Sequence, residues 1–257
     1  MKTRLASSAV AVMLVLLASP RARSAEPNDA GAKALAQHEL DAQGAKNWEK
    51  ARYLTFDFVV DTPTRKAGPF KHAWDRYTGR YRVEVPGEKG FVAFFDMNAP
   101  KDLGKAVILQ NGARVTGEAA AKLLESAYGR FINDSYWLLA PLKVLDPGVT
   151  VTDEGDGTFD GKPVRVLRLN FANVGLTPGD VYRHFLDPKT FAMLGWEYQL
   201  QETQPPPTQW RWVEVKDFQG LKLSTVKTTL DGTKAIRLEN VSVAAKPDEK
   251  LLTPPAP

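Results

Sequence analysis

The sequence predicts a mainly antiparallel β fold of the α+β class: a curved half-open barrel whose concave side is covered by two or three helices. Three observations predict it. Period-two alternation of apolar and polar residues recurs in short runs at about ten-residue spacing. The links between runs are tight turns, too short for the crossovers that parallel strands need. Helical spacing is confined to one segment near the start and one in the middle. An antiparallel sheet of roughly a dozen strands must close, split or curl.

Residues 1–24 read as a secretory signal peptide. Lys2 and Arg4 give a positive start, residues 5–18 carry no charge, and Ala22-Arg23-Ser24 offers small residues at cleavage spacing. The apolar run is too short to span a bilayer. The predicted address is the periplasm, with secretion as the alternative. Residues 25–245 form one predicted domain, and the proline-rich stretch 246–257 a flexible tail.

Residues 32–43 follow helical spacing through Ala32, Leu35, Ala36, Leu40 and Gln43, and Gly44 suits the position past the helix end. Asn47 suits an N-cap for one further turn through Trp48. The period then changes to two, with Leu54, Phe56, Phe58 and Val60 on one face. Further strands are predicted at 70–77, 80–85, 91–96 and 105–110, with turns at Tyr77-Thr78-Gly79-Arg80 and 86–90. A helix follows over 118–131, with Thr116 as N-cap and Ala121, Leu124, Tyr128 and Phe131 near one stripe. Residues 135–144 predict a second short helical or irregular piece, broken by Pro141. Strands resume at 149–153, 163–171, 181–186, 194–202, 209–218, 221–230 and 235–243. Asp156-Gly157, Asp160-Gly161 and Asp231-Gly232 mark hairpin turns, and Pro205-Pro206-Pro207 a stiff corner. Val164 and Val166 share one parity while Leu167, Leu169 and Phe171 share the other, which suggests a bulge within that strand.

Charge excludes one class of partner. Of the 34 Lys and Arg residues, Lys2, Arg4, Arg21 and Arg23 lie in the leader, leaving 30 against 30 Asp and Glu. No net field for nucleic acid or an anionic membrane survives. No second long apolar run predicts a transmembrane segment. The chain has no cysteine, which excludes thiol catalysis, thiolate metal sites and a lipidated cysteine.

The catalytic signals are weak. Gly-x-Ser-x-Gly is absent, as are a Walker loop and a dinucleotide fingerprint, so no cofactor is expected. Asp134-Ser135 with a distant histidine leaves a hydrolase as the least favoured alternative. His38, His72 and His184 are scattered and predict no metal site; His184 with Asp187 or His72 with Asp75 would have to meet through the fold. His72, Trp74, Asp75, Arg76, Arg80 and Arg82 sit on one hairpin, either as a cluster that orients a ligand head group or as a salt-bridged surface. Big aromatics are the stronger signal. Phe56, Phe58, Trp74, Tyr136, Trp137, Leu138, Trp196 and Trp210 would wall an apolar space, or simply fill the core.

The segments His72-Ala73-Trp74-Asp75-Arg76-Tyr77-Thr78-Gly79-Arg80-Tyr81-Arg82 and Asn133-Asp134-Ser135-Tyr136-Trp137-Leu138-Leu139-Ala140-Pro141 point to a family. So do Asp146-Pro147-Gly148-Val149, Val174-Gly175-Leu176-Thr177-Pro178-Gly179-Asp180, and Trp210-Arg211-Trp212 with Phe218-Gln219-Gly220. With them the chain resembles an uncharacterised group of exported bacterial proteins within or near the LolA/LolB-like lipoprotein-carrier superfamily. The resemblance implies a non-enzymatic carrier of a hydrophobic small molecule, lipid or lipoprotein acyl chain, held against a concave apolar sheet. It implies a functional arginine too, with Arg76, Arg80 and Arg82 as candidates and Arg80 or Arg82 meeting a polar head. An envelope protein–protein interaction module is the alternative.

Overall fold

The computed structural model describes residues 26–172, 179–201 and 206–256. The predicted signal peptide, Val174 to Pro178 and Pro205 lie outside the described residues.

The chain begins with α1 (Ala30–Ala42) and a 3₁₀ turn (Ala45–Lys50), followed by β1 (Tyr53–Thr62), β2 (Arg65–Asp75), β3 (Arg80–Val85) and β4 (Phe91–Asp96). Next come β5 (Val107–Gln110), β6 (Ala113–Val115), α2 (Gly117–Leu139) and a 3₁₀ turn (Ala140–Leu142). The second half holds β7 (Val149–Phe159), β8 (Lys162–Phe171), β9 (Val181–Leu186), β10 (Met193–Gln199), β11 (Thr208–Phe218), β12 (Leu221–Thr229) and β13 (Ala235–Ala244), then α3 (Glu249–Leu252). Every strand pairing is antiparallel, and the 13 strands form one sheet in the order β6-β5-β4-β3-β2-β1-β13-β12-β11-β10-β9-β8-β7.

That order explains the long helix. β6 and β7 are the two edges, so the chain between them must cross the whole face. Thirteen strands at about 4.8 Å spacing make an arc of roughly 55–60 Å. The 23 residues of α2 span roughly 35 Å. A helix that touches β3, β4 and β5 at one side and β12 at the other therefore bridges the chord of a curled sheet. The sequence suggested a break near Phe131; instead the helix runs on to Leu139, because Ala120, Leu124, Ala127, Asp134, Ser135 and Leu138 keep one buried stripe.

α1 closes the rest of the concave side. The Asp29 carboxylate accepts from Ala32 N at 2.7 Å as its N-cap, and Gly44 takes φ 76° past its end. Asn47 does not cap the following turn; its Nδ2 donates to Gly220 O at 3.0 Å, tying that turn to the β11–β12 hairpin. The main core joins Leu35, Phe56, Phe58, Leu138, Trp196, Trp210, Trp212 and Leu238 beneath α1 and the end of α2. A second core packs Leu124 and Ala127 of α2 on Tyr81, Val83 and Phe95.

The bulge lies on a different strand from the one expected. The β7–β8 register shifts between Asp153 and Gly155, so the extra residue belongs to β7. Both parities of β8 are apolar because both faces are covered. Leu167 and Leu169 enter the main core, while Val164 and Val166 pack with Phe159 and Phe185 in a separate cluster. The expected flexible tail also differs. Asp248 caps α3, Leu252 is buried against Tyr53 and Ala73, and Arg80 pairs with Glu249. β6 and the β1–β2 hairpin turn carry no clear sequence signal and were not expected.

Candidate functional site

Between α2 and the β7–β8 pair lies a cleft of about 270 Å³, lined by Tyr128, Phe131, Ile132, Ser135, Tyr136, Lys143, Asp146, Pro147, Val149 and Phe171. Helical geometry puts Tyr128, Phe131, Ile132, Ser135 and Tyr136 at three- and four-residue steps on one side of α2. Val149 and Phe171 supply the opposite wall as a directly paired couple of β7 and β8. Lys143 and Asp146 pair with each other at the rim.

Of the ten residues expected to bind a ligand, Tyr136 borders this cleft. Its ring stacks on Trp196 at 5.6 Å and meets Phe171 and Tyr182 edge-on. Trp137 stands edge-on to both Trp196 and Trp210, at 4.7 and 5.0 Å. Phe56, Phe58, Leu138, Trp196 and Trp210 are all buried, so these side chains fill the interior next to the cleft rather than line it. Trp74 packs edge-on to Phe131 at 5.2 Å. Arg80 and Arg82 do not meet that cleft. Arg80 bonds Asp75 and Glu249 on the face that α3 covers, and Arg82 bonds Glu84. Arg76 lies 3.5 Å over the Trp48 ring and donates to the carbonyls of Trp48 and Ala51. Arg80 and Arg82 thus serve the salt-bridged surface, while a ring face and backbone carbonyls hold Arg76.

The histidines find carboxylates other than those expected. His72 Nε2 lies 3.1 Å from Asp134 Oδ2, and its Nδ1 lies 2.7 Å from Tyr81 Oη. Burial first, then the Asp134 charge, pushes the Tyr81 hydroxyl well up. His184 Nδ1 lies 2.8 Å from Glu39 Oε1. Burial raises the Glu39 carboxyl, and His184 opposes that rise. No hydrogen bond joins Ser135 to His72 among the described residues. Asp134 does hold a histidine, but Tyr81 takes the other ring nitrogen, and Ser135 faces the cleft instead.

Sequence reasoning missed Glu39 and Lys227. Glu39 does carry a signal in the sequence, since it sits four residues from Leu35 on the buried side of α1. Lys227 is buried on β12; its Nζ donates to Ser224 O at 2.6 Å and lies 4.4 Å from the Trp212 ring centroid. No group of three or more metal-ligating side chains occurs among the described residues.

No protein-family model and no curated protein matches the chain. Solved structures do. A LolA superfamily protein from Nitrosomonas europaea superposes with a TM-score of 0.51 at 11% identity, covering 85% of this chain and 97% of that one. A DUF1329 family protein from Desulfovibrio piger gives 0.50 at 11% identity, covering 86% and 99%. The fold is LolA-like. The LolA-like half-barrel expected from the sequence is therefore the observed architecture, a curled 13-stranded antiparallel sheet with helices in its concavity. No helix among the described residues is long and apolar enough to cross a membrane.

Proposed function

We propose that this protein binds an apolar chain, such as the acyl chain of a lipid or lipoprotein, in the cleft between α2 and the β7–β8 pair, as a carrier rather than a catalyst. The observation that carries this reading is the cleft itself. Its walls include Phe131, Ile132, Pro147, Val149 and Phe171, its charged pair Lys143 and Asp146 lies at the rim, and it adjoins an aromatic interior. Its 270 Å³ is near the lower end of ligand-pocket volumes and suits a slender chain. Each methylene buried there contributes about 0.8 kcal/mol, so a long chain reaches useful affinity without charge pairing. The LolA-like fold supports a carrier role, and the leader read from the sequence supports a periplasmic address.

The neutral fluorophore N-phenyl-1-naphthylamine tests the reading. The expected result is a saturable rise in emission that Ile132→Trp abolishes by filling the cleft, while the circular-dichroism melting curve keeps its shape. A rise without saturation, or one that Ile132→Trp leaves intact, would overturn it.

A further inference from the structure

The buried stripe of α1 is Ala32, Leu35, Ala36 and Glu39, so one charged side chain enters the concavity with the apolar ones. Glu39 meets His184 there, with Nδ1 2.8 Å from Oε1 and both side chains fully buried. β9 presents His184 between its register partners Leu167 and Trp196, neither of which carries charge. Glu39 Oε2 and His184 Nε2 have no hydrogen-bond partner among the described residues. Each group therefore relies on the other. Backbone bonds tie the segment at its two ends, from Asn28 N to Val151 O and from Lys222 N to Gln43 O.

The other titratable groups around the helix are neutral, paired or outside. On α2, burial first, then Tyr182 and Glu39, hold the Tyr136 hydroxyl well above its usual range, so it stays uncharged. Lys143 pairs with Asp146. On the outer side of α1, exposed His38 stacks on Phe191, and Asp153 and Asp156 pair with Arg165.

With one proton between them, Glu39 and His184 are neutral as a pair, whichever atom holds it. A second proton would leave a buried cation without a carboxylate. Loss of the first would leave a buried carboxylate without a cation. Once α1 lifts, water solvates both groups, and an exposed glutamate and histidine titrate at about 4.3 and about 6.5. Above about 6.5 the lifted state holds no proton where the docked pair holds one, so docking loosens as pH rises. Below about 4.3 the lifted state holds two, so docking loosens as pH falls.

We infer that α1 docks through a one-proton clasp, Glu39–His184, which grips most tightly in mildly acidic solution and lets the helix lift from the sheet as pH rises past neutrality. Lifting uncovers the main core that Leu35 and Ala36 join.

Hydrogen exchange of the whole protein, with the intrinsic pH dependence divided out, reads this opening. The amides of residues 35–39 are expected to be less protected than those of Phe56 and Phe58 on β1. Their protection is expected to hold level from about pH 5 to 6 and to fall about tenfold per unit from about pH 7 to 8. In Glu39→Gln the docked state holds no proton, so the profile reverses: level above about pH 6.5 and falling below it. In His184→Gln the buried carboxyl keeps its proton alone, so the loss begins at about pH 4.3 and runs through the whole range. Level wild-type protection from about pH 5 to 8, α1 amides as slow as those of β1, or variants that keep the wild-type profile would each overturn the clasp. Should neither variant fold, the wild-type profile decides.

Discussion

Lys227 places an amine in the core with one carbonyl and one indole face for company. Burial holds that amine well below its usual range. Its folded pKa is the lower one, so between it and the unfolded value of about 10.4 the unfolded chain binds more protons. Stability therefore rises with pH through that window and is lost as pH falls through the folded value. We expect Lys227→Met to stabilise the protein by about 3 kcal/mol at pH 7 and to flatten this dependence, so that its advantage shrinks as pH rises toward 10. Urea unfolding at several pH values measures both; a parallel pair of profiles would mean that Lys227 keeps its proton in the fold. Removing a buried charge at Asp134 is expected to destabilise instead. Asp134 is buried and sits within reach of His72, Arg130 and Asn133. Asp134→Ala strands those partners, and we expect a loss of about 3 kcal/mol, with Asp134→Asn recovering much of it. Equal losses in urea would point to packing rather than hydrogen bonding.

At the scale of elements, close approach between strands matters as much as polarity. β10 bends where its register with β9 shifts between Met193 and Gly195. A Cβ added at Gly195 would lie 2.4 Å from the Phe159 ring and 2.5 Å from Trp210 O. The Phe159 ring stacks on Phe185 at 4.4 Å and has no free path away. Gly195→Ala is expected to cost about 2 kcal/mol through overpacking, read as a lower urea midpoint with an unchanged slope. Element type was largely legible in the sequence, because every strand but β6 has at least one apolar face and tight turns separate most of them. The continuous α2 was less so. Asp134 and Ser135 interrupt its apolar stripe with polar residues that find buried surroundings only through long-range contacts with other elements. The candidate site was legible only in part for the same reason. Tyr136 stood out as an aromatic, but Phe171 and Val149 join it through strand pairing across the chain, and the spacing of local residues does not encode that. The arginines misled because a strand shows alternation without showing which face α3 will cover.

At the scale of the whole molecule, the sheet is two meanders joined at β1 and β13, and its edges are guarded differently. At β7 the backbone N of Asn28 donates to Val151 O and Val151 N donates to Asn28 Oδ1, which occupies one stretch of the edge. Farther along, Asp153, Glu154 and Asp156 are tied into ion pairs with Arg165 and Arg183, beside the bulge. The opposite edge, β6, is only three residues long. Charges, bulges and short edge strands all oppose edge-to-edge pairing. We expect a monomer by light scattering across a wide concentration series, and self-association on replacing Glu154 and Asp156 together with valine. A wild-type dimer that valine does not strengthen would show that the edges are not what keeps copies apart.

The guarded rims have a consequence for life in a crowded space. Copies pressed together meet along fenced borders where no new rung can form, so density alone should thicken such a solution without knitting it.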